Sequence, residues 1–121
     1  MEKKQKPQIY TVDATGQVLG RMCSSIAKIL MGKTTVGYER HILSGASVNV
    51  INASKLFMTE KRKLETMHEK YSGYPGGLKY KSNAEIISKK GYAELIRLAV
   101  YNMLPPNRLR QPMMNKLKIT E

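Results

Sequence analysis

The chain has 121 residues, and 21 Lys plus Arg against 9 Asp plus Glu give it a net charge of +12. This length predicts one domain with a modest core, and an apolar content of 41% excludes a wholly disordered basic chain. The single cysteine excludes an internal disulfide, and no apolar run approaches the roughly 20 residues that span a bilayer. A folded domain this basic favours a polyanionic partner, either nucleic acid or an anionic membrane surface.

The first eight residues, MEKKQKPQ, carry lysines with no apolar segment behind them, so they do not resemble a secretory signal. Residues 1–8 are predicted to be a flexible basic tail, and residues 9–121 a single domain. Ile9 to Val12 favours a strand, and Asp13 to Gly16 favours a turn. From Leu19 to Leu30 apolar residues recur at steps of three and four, which predicts a helix that ends at Gly32.

The middle of the chain alternates strand signals with a polar stretch. Ser47 to Asn52 favours a second strand with Val48 and Val50 on one face, and Lys55 to Thr59 is a candidate third. Lys61 to Gly77 has no clear period and is rich in charge, glycine and tyrosine, so it is predicted to be a long functional loop.

The last third predicts two helices and a strand. Ser82 to Glu85 fits a capping box for a short helix that ends at Gly91. A second apolar stripe follows from Tyr92 to Met103, and Pro105-Pro106 stops it. One or two helical turns within Arg108 to Lys116 and a strand at Leu117 to Ile119 complete the chain. Strands separated by helices indicate an α/β layer fold with a mainly parallel sheet.

The stretch LMGKTT resembles the end of a phosphate-binding nucleotide loop. That loop requires a first glycine at position 27, where Ala27 stands, and it must precede a helix. Gly32 instead follows a helix, where the dipole repels anions. The tripeptide is therefore interpreted as a helix stop.

Other catalytic signals are equally incomplete. His68-Glu69 begins a zinc-protease motif, but Ser72 stands where its second histidine is needed, and two histidines with one cysteine cannot readily supply a metal site. Cys23 lies on an apolar helix stripe and is expected to be buried. Asp13 is expected to bond turn amides instead of acting as a base. No catalytic residue, metal or cofactor is predicted.

Basic residues fall in five clusters along the chain: Lys3, Lys4 and Lys6; Lys33, Arg40 and His41; Lys61, Arg62, Lys63 and Lys70; Lys79 and Lys81; Arg108, Arg110, Lys116 and Lys118. Any single lysine is most simply a solvated surface residue, but five clusters with few balancing acids favour an extended phosphate-contacting face. The glycines, tyrosines and lysines of Tyr71 to Lys81 allow close approach, base stacking and phosphate contact, although an ordinary surface loop explains that composition as well.

Several motifs in order resemble the universal large-subunit ribosomal protein thirteen family. They are Val12 to Gly16, Leu19 to Arg21, Ile26-Ala27, Leu30 to Lys33, Val50 to Ala53, Ser72 to Lys79, Ala99-Val100, Met103 to Pro105 and Lys116 to Lys118. The resemblance implies a three-layer α/β/α sandwich around a four-stranded, mainly parallel sheet. It also implies a non-enzymatic structural constituent of the large ribosomal subunit that supports early assembly and translation. Large-subunit ribosomal RNA and neighbouring ribosomal proteins are the expected partners, with no membrane and no small-molecule substrate.

Three positions depart from the family pattern. Glu60 replaces a glycine, Asn102 replaces another, and Leu109-Arg110-Gln111 stands where Leu-Gly-Arg is usual, which leaves open whether Arg108 or Arg110 makes that contact. The chain also ends at Glu121 without the tail common in bacterial members, which indicates either a reduced or divergent lineage or an organelle. The expected location is on a ribosome, in the cytoplasm or in an organelle interior.

The predicted RNA-binding residues lie on basic loops and element ends: Arg21, Lys33, Arg40, His41, Lys61, Lys63, Lys70, Tyr74, Gly76, Gly77, Lys79, Arg108, Arg110, Lys116 and Lys118. Three other functions compete with this prediction. They are a nucleotide hydrolase, which Ala27 opposes, a free regulatory RNA-binding protein, and a membrane-surface binder, which needs a basic amphipathic helix that the sequence does not offer.

Overall fold

The computed structural model describes residues 8–43 and 46–121, so the predicted tail lies almost entirely outside the described residues. In chain order the elements are β1 (Ile9–Asp13), α1 (Leu19–Met31), β2 (Ser47–Ile51), a 3-10 turn (Ala53–Lys55), α2 (Glu60–Glu65), β3 (Met67–Tyr71), β4 (Leu78–Ser82), α3 (Asn83–Lys90), α4 (Tyr92–Met103), α5 (Arg110–Asn115) and β5 (Leu117–Ile119).

The helix ends follow the local chemistry that the sequence predicts. Gly32 has a φ of 83°, the left-handed conformation that ends α1, so the helix-stop interpretation is confirmed. The hydroxyl of Ser82 accepts the backbone N–H of Glu85 at 3.3 Å, which caps α3. Gly91, with a φ of 79°, separates α3 from α4, and α4 ends ahead of Pro105.

Three parallel strands form the central sheet in the order β1-β2-β5. Their register aligns Tyr10 with Val48 and Leu117, and aligns Val12 with Val50 and Ile119. These side chains form one apolar face, because alternate residues of a strand point to the same side. The face packs with α1 and α4 into a core of buried residues: Met22, Cys23, Ile26, Ala27, Leu30, Val48, Val50, Ile96 and Val100.

The α/β class and the mainly parallel sheet are confirmed, but the four-stranded sheet and the three-layer sandwich are not. The candidate strand at Lys55 to Thr59 is wrong, because it begins inside the 3-10 turn and pairs only through Phe57 with Val18. The second face of the sheet, which includes Ile9, Thr11 and Lys118, is largely exposed. Within the described residues the helices therefore cover one face of the sheet.

The stretch predicted to be a loop, Lys61 to Gly77, is instead mostly regular structure. It holds nearly all of α2, whose N–H of Arg62 bonds the hydroxyl of Thr59, and the whole of β3. Strand β3 pairs antiparallel with β4 to form a separate two-stranded hairpin. The sequence shows no alternation here because both faces of the hairpin are mainly exposed, so no burial pattern marks the strand.

Candidate nucleic-acid interface

The connection between β3 and β4 contains a tight turn, from Tyr74 to Gly77, that favours glycine. The N–H of Gly77 donates to the carbonyl of Tyr74 at 3.0 Å, and Gly76 has a φ of 75°. Proline at the second position and a left-handed glycine at the third are typical of a type II turn. A Cβ on Gly77 would collide with the hydroxyl of Ser72 and lie 3.0 Å from the carbonyl oxygen of Tyr74, so this position favours glycine as well.

The hairpin has two faces of different chemistry. The register sets His68 opposite Lys81 and Lys70 opposite Lys79. Since paired residues of antiparallel strands share a side, these four residues form one face, which we call the lysine face. The other side, which we call the tyrosine face, consists of Met67, Glu69, Tyr71, Leu78 and Tyr80, with the buried Ser82 opposite Met67 at its base.

The lysine face forms one wall of a groove of about 780 Å³. Helix α3 supplies Lys89, Lys90 and Glu85 opposite it, and the apolar side chains of Ile86 and Leu98 also line the groove. The full lining, which we call the basic groove, is His68, Glu69, Lys70, Ser72, Tyr74, Pro75, Gly76, Gly77, Lys79, Lys81, Glu85, Ile86, Lys89, Lys90, Glu94 and Leu98. Five lysines against Glu85 and Glu94 make the groove net positive, which suits an anionic ligand, since strand alternation turns the side chain of Glu69 to the other side of the hairpin.

A buried amide attaches the hairpin to the start of α3. Asn83 donates through Nδ2 to the carbonyl of Arg62 at 3.1 Å, and its Oδ1 lies 2.6 Å from Nε2 of His68. Because Oδ1 is an acceptor, Nε2 of His68 is the donor in this pair. The backbone N–H of Asn83 also donates to the carbonyl of Thr66 at 3.2 Å. His68 therefore has a structural task, which is to hold the lysine face beside α3.

Five of the predicted site residues line the basic groove: Lys70, Tyr74, Gly76, Gly77 and Lys79. Lys89 and Lys90 were absent from the sequence prediction, and Lys81 was recognised as basic but not placed in the site. The available signal was a lysine pair in the last turn of a capped helix. That signal could not show that a distant hairpin lies against the same helix.

The two predicted residues of α2 do not line the groove. Nζ of Lys61 lies 3.9 Å from Glu65, and Nζ of Lys63 lies 3.8 Å from Glu60. Both pairs join residues three or four positions apart along the helix, where such contacts stabilise by only a few tenths of a kcal/mol. The lysines can exchange these partners for phosphates at little cost.

Four predicted residues lie on α1 or on the segment that follows it, also outside the groove. Arg21 is exposed in the first turn of α1. Nζ of Lys33 lies 6.0 Å from the ring centre of Tyr38. Arg40 is exposed, and Nε2 of His41 lies 3.3 Å from a carboxylate oxygen of Glu39. Their RNA contacts remain predictions.

The four predicted residues near the C-terminus differ in exposure and in the contacts that they make within the protein. Arg110 lies with its guanidinium carbon 4.2 Å from the ring centre of Tyr101, and it donates to the carbonyl of Leu104 at 3.2 Å. These contacts join the end of α4 to α5. Arg108 is exposed, Lys116 is half-buried, and Lys118 lies on the open face of the sheet.

The two groups considered as catalytic candidates, Cys23 and Asp13, have surroundings that suit a structural role. Burial raises the pKa of the Cys23 thiol to about 12, so it is not a nucleophile at neutral pH. The N–H and hydroxyl of Thr15 donate to the carboxylate of Asp13 at 2.9 and 2.7 Å, and these bonds lower the pKa of Asp13. The turn interpretation of Asp13 is confirmed.

The described residues contain no group of three or more His, Cys, Asp or Glu side chains arranged to hold a metal ion. Over the same part of the chain, no helix combines the length and apolar character needed to cross a membrane.

Comparison with known proteins gives one consistent family. Residues 7–121 match the family model of ribosomal protein L13. The large ribosomal subunit protein uL13 of Natranaerobius thermophilus is 44% identical over 110 residues, which cover 91% of this chain and 76% of that protein. The proteins of the same name from Syntrophus aciditrophicus and Thermotoga maritima are 43% and 44% identical, over 91% of this chain and 77% and 73% of their own lengths. The chain therefore belongs to the ribosomal protein L13 family, whose members are components of the ribosome and not enzymes.

Proposed function

We propose that this protein is a structural constituent of the large ribosomal subunit that binds large-subunit ribosomal RNA and supports early subunit assembly and translation. The names of its relatives support a place in the large subunit, and the basic groove supports RNA binding. The protein would be ribosome-bound, in the cytoplasm or in an organelle, beside other large-subunit proteins. The observation that carries the proposal is that lysines from a hairpin and from a helix face one groove.

The groove suits a nucleic-acid backbone better than a small nucleotide. Its lysines come from both walls, Lys70, Lys79 and Lys81 from the hairpin and Lys89 and Lys90 from α3, so they match a row of phosphates instead of one compact group. The apolar side chains of Ile86 and Leu98 offer contacts to sugar and base surfaces. Tyr74 at the turn is 75% exposed and is available to stack on an unpaired base.

The remaining predicted residues would extend the contact beyond the groove. Arg21, Lys33, Arg40 and His41 would bind RNA around α1, Lys61 and Lys63 from α2, and Arg108, Arg110, Lys116 and Lys118 near the C-terminus. We infer that Arg108 is the stronger candidate of the arginine pair, because it is exposed whereas Arg110 already bonds Leu104.

The test compares two double variants of equal charge. Lys79→Gln with Lys89→Gln removes one lysine from each wall, and Lys28→Gln with Lys55→Gln removes two exposed lysines outside the groove. Binding to a large-subunit RNA fragment is measured against salt concentration. We expect the groove variant to flatten the log–log slope by about 1.4 to 1.8, at about 0.7 to 0.9 for each lost phosphate contact, and the control variant to leave it nearly unchanged.

Equal slopes for the two variants would contradict the groove as the RNA site. Sedimentation tests the ribosomal part separately: the protein should remain with the large subunit after a moderate salt wash. Release in that wash, with RNA affinity intact, would indicate a free RNA-binding protein instead.

A further inference from the structure

The tyrosine face of the hairpin is an apolar surface that the described residues leave largely exposed. Met67, Tyr71, Leu78 and Tyr80 are 55%, 64%, 47% and 55% exposed, although they lie side by side on two paired strands. Contiguous exposed apolar side chains mark interaction sites in soluble proteins. A two-stranded hairpin is also marginal in water by itself, so covering this face would stabilise it.

The charge of this face differs from that of the rest of the molecule. Glu69, opposite Tyr80, is the one charged residue that the register places there, whereas the lysines of both strands lie on the other side. Its carboxylate makes no ion pair among the described residues. Atoms of Glu69 also border the basic groove, but the alternation of the strand directs its side chain toward the tyrosine face.

This chemistry favours a protein partner over RNA. An unpaired carboxylate beside the tyrosines repels phosphates and attracts Lys or Arg, and the register places no Lys or Arg of the two strands on this face. Tyrosine and methionine are enriched in the cores of protein interfaces. The complementary surface is therefore an apolar protein segment that carries a basic side chain opposite Glu69.

We propose that the tyrosine face docks a basic, apolar segment of a second protein of the large subunit, while the lysine face of the same hairpin faces RNA. Tyr71 and Tyr80 are the apolar anchors, and Glu69 selects the partner by charge. The inference rests on the proposed function, because it takes the second protein from the same subunit. Strand alternation keeps the two partners on opposite sides of one hairpin.

The test is site-directed photocrosslinking in assembled subunits. Large subunits are reconstituted from Thermotoga maritima ribosomal RNA and proteins, with this chain in place of that organism's uL13. The photoreactive residue p-benzoylphenylalanine replaces Tyr80 in one variant and Lys79, its neighbour on the opposite face, in the other. We expect position 80 to crosslink to an identified subunit protein, at a peptide with apolar residues and a Lys or Arg, and position 79 to crosslink to RNA.

A crosslink from position 80 to RNA, or no crosslink from it in assembled particles, would overturn the inference. Failure of the unsubstituted chain to enter the subunit at all would overturn the proposed function and the inference with it. Sedimentation of the particles distinguishes these results.

A charge swap tests the role of Glu69. In the position 80 variant, Glu69→Lys should lower the yield of the protein crosslink about tenfold, because it sets like charges against each other, and Glu69→Gln should lower it less. In the position 79 variant, the RNA crosslink should persist with either substitution, which shows that the hairpin is still in place. An unchanged protein crosslink in Glu69→Lys would refute the charge selection.

Discussion

The central core and the β3–β4 hairpin differ in how far their side chains are exposed to solvent. Cys23, Ile26, Val48, Ile96 and Val100 are fully buried between the sheet and its helices. In the hairpin, by contrast, nearly every strand residue is exposed, apart from His68 and Ser82 at its base. The core therefore supplies the free energy of folding, and the hairpin keeps its side chains available to partners.

The side-chain hydrogen bond that ties the hairpin to its neighbours is made to α3, outside this core. Asn83 and His68 attach the hairpin to α3 through hydrogen bonds, whereas α1 and α4 are joined by apolar packing. Local opening of a weakly packed element costs less free energy than global unfolding. Substitutions in the hairpin should therefore change binding, and substitutions in the core should change stability.

The largest expected difference is in thiol reactivity. Cys23 has a pKa of about 12, so only about one thiol in ten thousand is ionised at pH 8, against roughly a quarter of an ordinary exposed thiol. Iodoacetamide should therefore modify the cysteine of Tyr80→Cys at least about a thousandfold faster than Cys23 in the native protein. In urea the two rates should converge. Similar native rates would mean that the core opens as readily as the hairpin.

A large-to-small substitution in the core should have the next largest effect. Ile96→Ala leaves a cavity at a fully buried position and should lower the free energy of unfolding by about 2–5 kcal/mol in urea titrations. Tyr80→Ala is the matched hairpin variant and should change that free energy by about 0.5 kcal/mol or less. Comparable losses would show that the hairpin contributes to global stability.

Substitution of the turn glycines should have an intermediate effect, and it should lower RNA binding more than stability. Gly76→Val forces a β-branched residue into a left-handed conformation, at a local cost of about 1–3 kcal/mol. Gly76→Val with Gly77→Val should weaken RNA docking more than it lowers the melting temperature. Gly76→Asn is the control, since asparagine tolerates this conformation. Proportionate losses of docking and melting temperature would assign the turn a purely structural role.

The smallest expected effect is a pH dependence at the turn after β1. Hydrogen bonds from Thr15 lower the pKa of Asp13, so the folded state favours the carboxylate more than the unfolded state does. The resulting stabilisation is complete above the ordinary aspartate pKa and is lost as the pH falls through the lowered value. Asp13→Asn should thus melt slightly below the unsubstituted protein at pH 7, with the difference shrinking as the pH falls toward 3. A difference that does not change with pH would refute this account.

Sequence reasoning succeeded where burial leaves a pattern. The stripe from Leu19 to Leu30 predicted α1, and Gly32 predicted its end. It failed between Lys61 and Gly77, because exposed strands carry no hydrophobic alternation. It also gave Lys55 to Thr59 as a candidate third strand, where the chain makes a single bridge through Phe57. Of the site, it recognised the turn and its nearest lysines, Lys70 and Lys79, but not Lys89 or Lys90.

The sequence alone determined the α/β class, the ends of α1, α3 and α4, the family and the excess of positive charge, because periodicity, capping residues, turn glycines and composition are local properties. Only the tertiary structure decided which charges act together. Lys79 and Lys89 belong to different elements, and they share a groove because the hydrogen bonds of Asn83 hold the hairpin beside α3. Only strand pairing decided that lysines and tyrosines adjacent in the chain lie on opposite faces of the hairpin. The register determines which residues of the two strands lie side by side, and alternation places consecutive residues of one strand on opposite faces.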